Sequence, residues 1–229
     1  MSKPNKSITV LLAEDHQIVR EGFCALLKHE PDIQVIAQAE TGRQAMELVR
    51  KTQPDVVVMD IAMPLLNGLE ATRQIRREFP DIKVLILSAH SDDAYVQQAA
   101  ELGAAGFLLK QTSSDVLPKA IREVHQGNTF FTTSVSQRLA SRATTTVDRS
   151  GKTTRKPNHL SSREIEVLQL VAEGKPNKQV ADELGISFKT VDKHRQHLMA
   201  KLNIHDTAGL TRYAISAGII ESSVQLTIV

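Results

Sequence analysis

The chain of 229 residues has no tryptophan, and its aromatic content is only 3%. Its core must therefore be aliphatic, drawn from an apolar content of 41%. A single cysteine, Cys24, has no partner for an internal disulfide, which favours a reducing cytosol. Cys24 sits in a helical apolar pattern with Ile18, Val19, Phe23, Leu26 and Leu27, and reads as part of a buried face rather than as a reactive thiol. No apolar run approaches the length of a membrane span. Met1–Lys6 carries charge with no apolar signal core behind it. These absences point to a cytoplasmic globular chain of one or two domains, with no membrane partner.

Net charge is also small, at +2, but it is unevenly held. Residues 1–130 carry 14 Lys/Arg against 17 Asp/Glu, and residues 131–229 carry 14 against 9. The two halves therefore face different partners, and the basic half suits a polyanion.

In the first half, short apolar runs alternate with amphipathic stretches. The runs are Ile8–Ala13, Ile33–Ala37, Val56–Met59, Val84–Leu87 and Phe107–Leu109. The helical stretches are His16–His29, Gly42–Arg50, Leu69–Phe79, Asp92–Leu102 and Ser114–Gln126. Strand and helix repeated five times predicts an α/β doubly wound parallel sheet, covered by helices on both faces. From about Phe131 to Asn158 the pattern fails; the stretch is rich in small and polar residues and reads as a linker, with a helical start at Val135–Ser141. The last part is all-α by pattern. Ser161 and Glu164 form a capping box, and Gly174 ends that helix. Asn177–Leu184 stops at Gly185. Ser187 caps a helix running to Leu202, and Asp206 or Thr207 caps a fourth, ending near Gly218. The expected domains are 7–130, a linker at 131–157, and 158–221, with Ser222–Val229 a frayed tail.

Four of the five runs end in a polar or charged residue: Glu14 and Asp15, Asp60, Ser88, and Lys110. In an open doubly wound sheet, ligands bind beyond the carboxyl ends of the strands, where strand order reverses. In the order 2-1-3-4-5, Glu14, Asp15 and Asp60 converge there. Packed carboxylates raise one another's proton affinity, and a hard divalent cation relieves them. Mg²⁺ fits best, because it takes one or two carboxylates and keeps room for phosphate oxygens. Asp60, at the tip of the central strand, is the expected nucleophile toward phosphorus. Lys110 supplies positive charge to phosphoryl oxygens, and Ser88 donates a hydrogen bond. No His or Glu is placed as a general base, so any turnover is slow. Taken alone, an Asp after a strand is often only a helix cap; the joint occurrence carries the reading.

Residues 7–130 resemble a two-component receiver domain of flavodoxin-like fold. The matching stretches are Leu11-Leu12-Ala13-Glu14-Asp15-His16, Val57-Val58-Met59-Asp60-Ile61-Ala62-Met63-Pro64-Leu65-Leu66-Asn67-Gly68, Leu85-Ile86-Leu87-Ser88-Ala89 and Gly103-Ala104-Ala105-Gly106-Phe107-Leu108-Leu109-Lys110. The resemblance implies that Asp60 accepts a phosphoryl group from a sensor histidine kinase. It also implies Mg²⁺ ligation by Asp15, Asp60 and the main-chain carbonyl of Ala62, with Glu14 acting through water. Ser88 and Phe107 are then the switch pair, and Ala62 and His90 lie near the path of an attacking water. Three positions depart from the common pattern. Glu14 replaces Asp, Phe107 replaces Tyr, and Gln111 replaces a Pro that would favour a cis peptide.

The short helix, Gly185-Ile186-Ser187 and the long helix have the proportions of a helix-turn-helix. Val191, His194 or Arg195, Leu198 and Leu202 form the core face of the long helix. Lys189, Thr190, Asp192, Lys193, Gln196, His197 and Lys201 form the opposite face, able to read base edges or hold phosphates. Asn177 and Lys178 begin the short helix with N–H groups suited to a phosphate. Any exposed helix face has such a mixture. However, the run from Leu160 to His194 closely resembles the LuxR-type DNA-binding domain, and the whole chain resembles a NarL/FixJ-type response regulator. That resemblance implies double-stranded promoter DNA as partner, with two half-sites bound by a homodimer through Thr207–Ala217, His194 among the DNA-binding residues, and RNA polymerase as a candidate partner. Two rivals stand beside it: a constitutive DNA binder, and an aspartyl-phosphate phosphatase, which would need a general acid where Ala62 stands.

Overall fold

The computed structural model describes residues 7–89, 93–111, 115–131 and 160–220. His90, the Val135–Ser141 helical start and the Ser222–Val229 tail lie outside the described residues. The chain divides into two compact units, residues 1–153 and 154–229.

In the first unit, β1 (Ile8–Ala13), β2 (Ile33–Ala39), β3 (Val56–Asp60), β4 (Lys83–Ser88) and β5 (Gly106–Leu109) alternate with α1 (Gln17–Lys28), α2 (Gly42–Thr52), α3 (Gly68–Glu78), α4 (Asp93–Glu101) and α5 (Val116–His125). All pairings are parallel, in the order β2-β1-β3-β4-β5. The inner strand β3 is apolar and buried throughout up to Asp60 because both its faces are covered, whereas the edge strand β2 is interrupted by the exposed Gln34 and Gln38. Leu11, Val57, Met59, Val84, Ile86 and Phe107 pack on the side of α2 and α3. Val10, Leu12, Val56, Val58, Leu85 and Leu108 pack on the side of α1 and α5. Alternate residues of one strand therefore enter different cores.

Three details depart from the pattern read in the sequence. Asp60 and Ser88 are the last residues of their strands, not the first beyond them, because each still pairs across the sheet, with Leu87 and Leu109. Strand β2 runs on to Ala39 and is followed by Glu40, so it too delivers a carboxylate to that edge. On α1, Ile18 is 85% exposed and Arg20 is buried instead. The guanidinium is tolerated there because Nη1 donates to the Glu14 carbonyl at 2.7 Å and Nη2 to Glu40 Oε1 at 2.7 Å. Cys24 is half-buried against the α1–α5 core. No cis peptide bond occurs among the described residues.

The second unit comprises α6 (Ser162–Ala172), α7 (Asn177–Leu184), α8 (Phe188–Leu202) and α9 (Thr207–Ser216). Each boundary has a local cause. The Ser161–Glu164 capping box is formed in both directions, and Gly174 ends α6 at φ +84. Gly185 takes φ +61 between α7 and α8, Ser187 caps α8, and Asp206 rather than Thr207 caps α9. Val167, Leu168, Leu170, Val171, Val180, Val191, Leu198 and Leu210 are fully or almost fully buried in this unit. Among the described residues, no helix is long and apolar enough to cross a membrane.

Candidate phosphoryl pocket and DNA-reading face

Strands β1 and β3 are neighbours, and the strand order reverses between them. Glu14 follows β1 and is fully buried; Asp60 closes β3 and is 1% exposed. Lys110 follows β5 and is positioned by its backbone N–H, which donates to the Ser88 carbonyl at 2.8 Å. Its ammonium joins the two acids, with Nζ 2.8 Å from Glu14 Oε2 and 3.0 Å from Asp60 Oδ2. Asp15 and Glu14 are drawn together by His16, whose Nδ1 lies 2.9 Å from Asp15 Oδ1 and 3.2 Å from Glu14 Oε1. The ligating atoms of Glu14, Asp15 and His16 all lie within 4.8 Å of one another. Asp60 stands outside that trio and is tied to it through Lys110.

The electrostatics follow from burial. Asp60 is pushed up from an ordinary 3.8 to about 6, first by desolvation and then by Glu14, against the opposing pull of Lys110. Burial works to lower the Lys110 ammonium, but Asp60 and Glu14 outweigh it and raise its proton affinity. Asp15 raises that of the exposed His16.

Short ion pairs are not aligned hydrogen bonds. Glu14 Oε2, Asp15 Oδ1 and Asp60 Oδ2 are buried and have no donor in hydrogen-bonding geometry. The Ala62 carbonyl accepts no hydrogen bond among the described residues. Hard oxygens that lack donors fit a divalent cation such as Mg²⁺. Ser88 and Phe107 are both buried, on adjacent strands, with Ile86 paired to Phe107 and Ser88 to Leu109.

Three contributors were missed in the sequence. Arg20 and Glu40 hold the chain behind Glu14, and the signal was a lone arginine at a helical period among apolar residues. Gly68 begins α3 against the Asp60 backbone: a Cβ there would lie 1.8 Å from the Asp60 carbonyl oxygen. Only a residue without a side chain permits that approach.

In the second unit, Lys178, Lys189, Lys193, Gln196 and His197 are exposed, while Thr190, Asp192 and His194 are half-buried. The Thr190 hydroxyl meets Ser187 Oγ at 2.8 Å, and its backbone N–H donates to the same cap. Helix α7 starts at Asn177 after Pro176, with no side chain capping its first N–H groups. Arg195 bridges three helices: Nη1 donates to Asn177 Oδ1 at 2.9 Å, and Nη2 to Thr207 Oγ1 at 2.6 Å. Lys201, grouped with the DNA-facing residues in the sequence, is engaged elsewhere. Its ammonium donates to Glu164 Oε2 at 2.7 Å and so joins the capping box.

Residues 10–122 match the response regulator receiver domain, and residues 158–214 match the luxR family of bacterial regulatory proteins. Among curated relatives, the transcriptional regulatory protein DegU of Brevibacillus brevis is 40% identical over 210 residues, covering 87% of this chain and 89% of DegU. Among solved structures, the RcsB response regulator of Salmonella typhimurium aligns with a TM-score of 0.60 at 26% identity, covering 93% of this chain and 98% of RcsB. RcsB of Salmonella enterica serovar Typhimurium, bound to promoter rprA in the presence of a phosphomimetic, aligns with a TM-score of 0.56 at 26% identity, covering 91% and 98%. With an intact acidic edge in one unit and a capped helix-turn-helix in the other, the chain belongs to the two-component response regulators of the LuxR family, DNA-binding regulators of transcription.

Proposed function

We propose that Asp60 accepts a phosphoryl group from a phosphohistidine on a sensor kinase, and that this event switches DNA binding by the second unit. The observation that carries the reading is one buried carboxylate at the tip of the central strand, 3.0 Å from Lys110 Nζ and sharing that ammonium with Glu14. An Asp60 oxygen attacks phosphorus, an O–P bond forms, and the N–P bond breaks with its electrons returning to the kinase imidazole. At neutral pH most Asp60 is ionised and able to attack, since its proton is lost near 6. Lys110 then turns its charge to the phosphoryl oxygens, and Ser88 donates to one of them. Asp15, Asp60 and the Ala62 carbonyl would hold Mg²⁺, with Glu14 acting through water. When bound, the ion neutralises carboxylate and phosphoryl charge. Among the described residues no histidine is paired with Asp60, whose near neighbours are Lys110 and Glu14, and this supports slow self-dephosphorylation.

Movement of Ser88 toward the phosphoryl group leaves space that Phe107 fills, and the receiver surface changes. The active form is a homodimer joined through Thr207–Ala217, with two copies of α8 on two half-sites of promoter DNA. Lys189, Thr190, Lys193, His194, Gln196 and His197 face the duplex, and the start of α7 at Asn177 and Lys178 holds a phosphate. Binding both half-sites together multiplies affinity with no new base contact. The protein works in the cytoplasm, where RNA polymerase is its downstream partner.

The test is a gel that separates phosphorylated chains, run on wild type and Asp60→Asn with a small phosphodonor and Mg²⁺. Labelling is expected in wild type only. Labelling that survives in Asp60→Asn removes Asp60 from this role.

A further inference from the structure

Asp192 is the one acid on the polar side of α8, among Lys189, Lys193, Gln196 and His197, the side that meets the duplex in the reading above. It forms no salt bridge among the described residues. Its one side-chain hydrogen bond among the described residues is with Gln196, a turn further along, whose Nε2 donates to Asp192 Oδ2 at 2.9 Å. Only the nitrogen of a carboxamide can face a carboxylate, so this contact fixes which way the Gln196 amide is turned. The second N–H of Gln196 remains available, as does the other oxygen of Asp192.

A bare carboxylate on a surface that meets a polyanion is unfavourable unless a donor receives it. Phosphates and sugars of DNA offer it none. In the major groove the donors are the amino groups of cytosine and adenine. Beside the adenine amino group lies N7, an acceptor that repels the second carboxylate oxygen. Beside the cytosine amino group lies a C–H edge, and across the base pair lies guanine O6, an acceptor for the remaining N–H of Gln196. Donor and acceptor therefore stand next to each other both on the Asp192–Gln196 pair and on a C·G pair.

We propose that Asp192, braced by Gln196, selects cytosine at one position of each half-site. The inference rests on the DNA-binding reading above and deepens it by naming a base. Asp192 also acts against non-specific binding, because its charge repels every phosphate it passes.

The experiment is selection from a randomised duplex pool by the full-length chain, incubated with a small phosphodonor and Mg²⁺. Wild type, Asp192→Asn and Asp192→Ala are compared, with affinity for a random duplex measured for each. Wild type is expected to enrich one cytosine per half-site, on the order of 10-fold over other bases. Asp192→Ala loses that preference while binding random duplex more tightly, since a negative charge has gone. Asp192→Asn keeps the shape but gains an N–H, and moves the preference toward adenine. A cytosine preference unchanged in Asp192→Ala overturns the proposal, as does a wild-type motif with no cytosine that the substitutions alter. A wild-type chain that enriches no motif at all overturns the DNA-binding reading itself.

Discussion

Replacing Asp60 by asparagine should make the metal-free receiver more stable. Burial raises the proton affinity of Asp60 from an ordinary 3.8 to about 6. A raised carboxyl group favours the folded state only when protonated. That contribution is complete below the unfolded value and is lost as pH rises through about 6. At about pH 7 the ionised, buried carboxylate therefore opposes folding by about 3 kcal/mol. Asparagine has nearly the same shape and carries no charge, and Lys110 keeps Glu14 as partner at 2.8 Å. For a unit of this size, about 3 kcal/mol corresponds to a rise in Tm on the order of 10 °C. The assay is scanning calorimetry of the full-length chain in chelator, following the transition that moves when Mg²⁺ is restored. The gap between Asp60→Asn and wild type should fall to roughly half by about pH 5, as the folded wild type takes up its proton. Mg²⁺ should raise wild type more than the variant. A variant no more stable than wild type at neutral pH, or a gap independent of pH, would mean that the Lys110 ion pair outweighs desolvation, and the reasoning fails.

Gly68→Ala puts a methyl group 1.8 Å from the Asp60 carbonyl oxygen, so it should destabilise the receiver by about 1–3 kcal/mol and slow phosphorylation, both measurable on the same preparation. Arg20→Ala removes two 2.7 Å bonds from a buried guanidinium and should cost about 2 kcal/mol by thermal melting; no loss would make the Glu40–Arg20–Glu14 chain incidental. Lys193→Ala should weaken cognate DNA binding by about 1–3 kcal/mol and relax one base position. Lys201→Ala should leave the affinity nearly unchanged and lower stability by about 1 kcal/mol, because its ammonium serves the capping box from a partly exposed position. Burial works to raise the Glu164 carboxyl, but Lys201 and Ser161 hold it below its ordinary value. That contribution is present above the unfolded value and is lost as pH falls through the folded one, so stability of the second unit should drop on acidification, and less so in Lys201→Ala.

The doubly wound sheet was legible because the inner strands are short apolar runs bounded by polar residues, while the edge strand β2 was read two residues short because the exposed Gln38 interrupts it. The helix caps were legible for a similar reason: Ser161 with Glu164, Ser187 and Asp206 are local devices whose partners lie three residues away. Arg20 was not legible in this way. Its burial depends on Glu40, twenty positions away, and on a backbone carbonyl that no sequence pattern marks. Ile18 was misplaced for the converse reason, since helical period says which residues share a side but not where the side ends. Lys201 was assigned by its charge and helix face, whereas its partner Glu164 comes from another helix, 37 residues earlier. Asp60, Ser88 and Lys110 were placed correctly at one edge because strand ends fix them. The sharing of one ammonium by Glu14 and Asp60 is a matter of ångströms and was visible only in coordinates.

Arg195 ties the first residue of α7 and the first of α9 to the middle of α8. In the dimer proposed above, paired through α9, this one guanidinium is a direct side-chain link between the helix that would pair the subunits and the helix that would enter the groove. A change of spacing between half-sites would then be felt first at the Arg195–Thr207 bond.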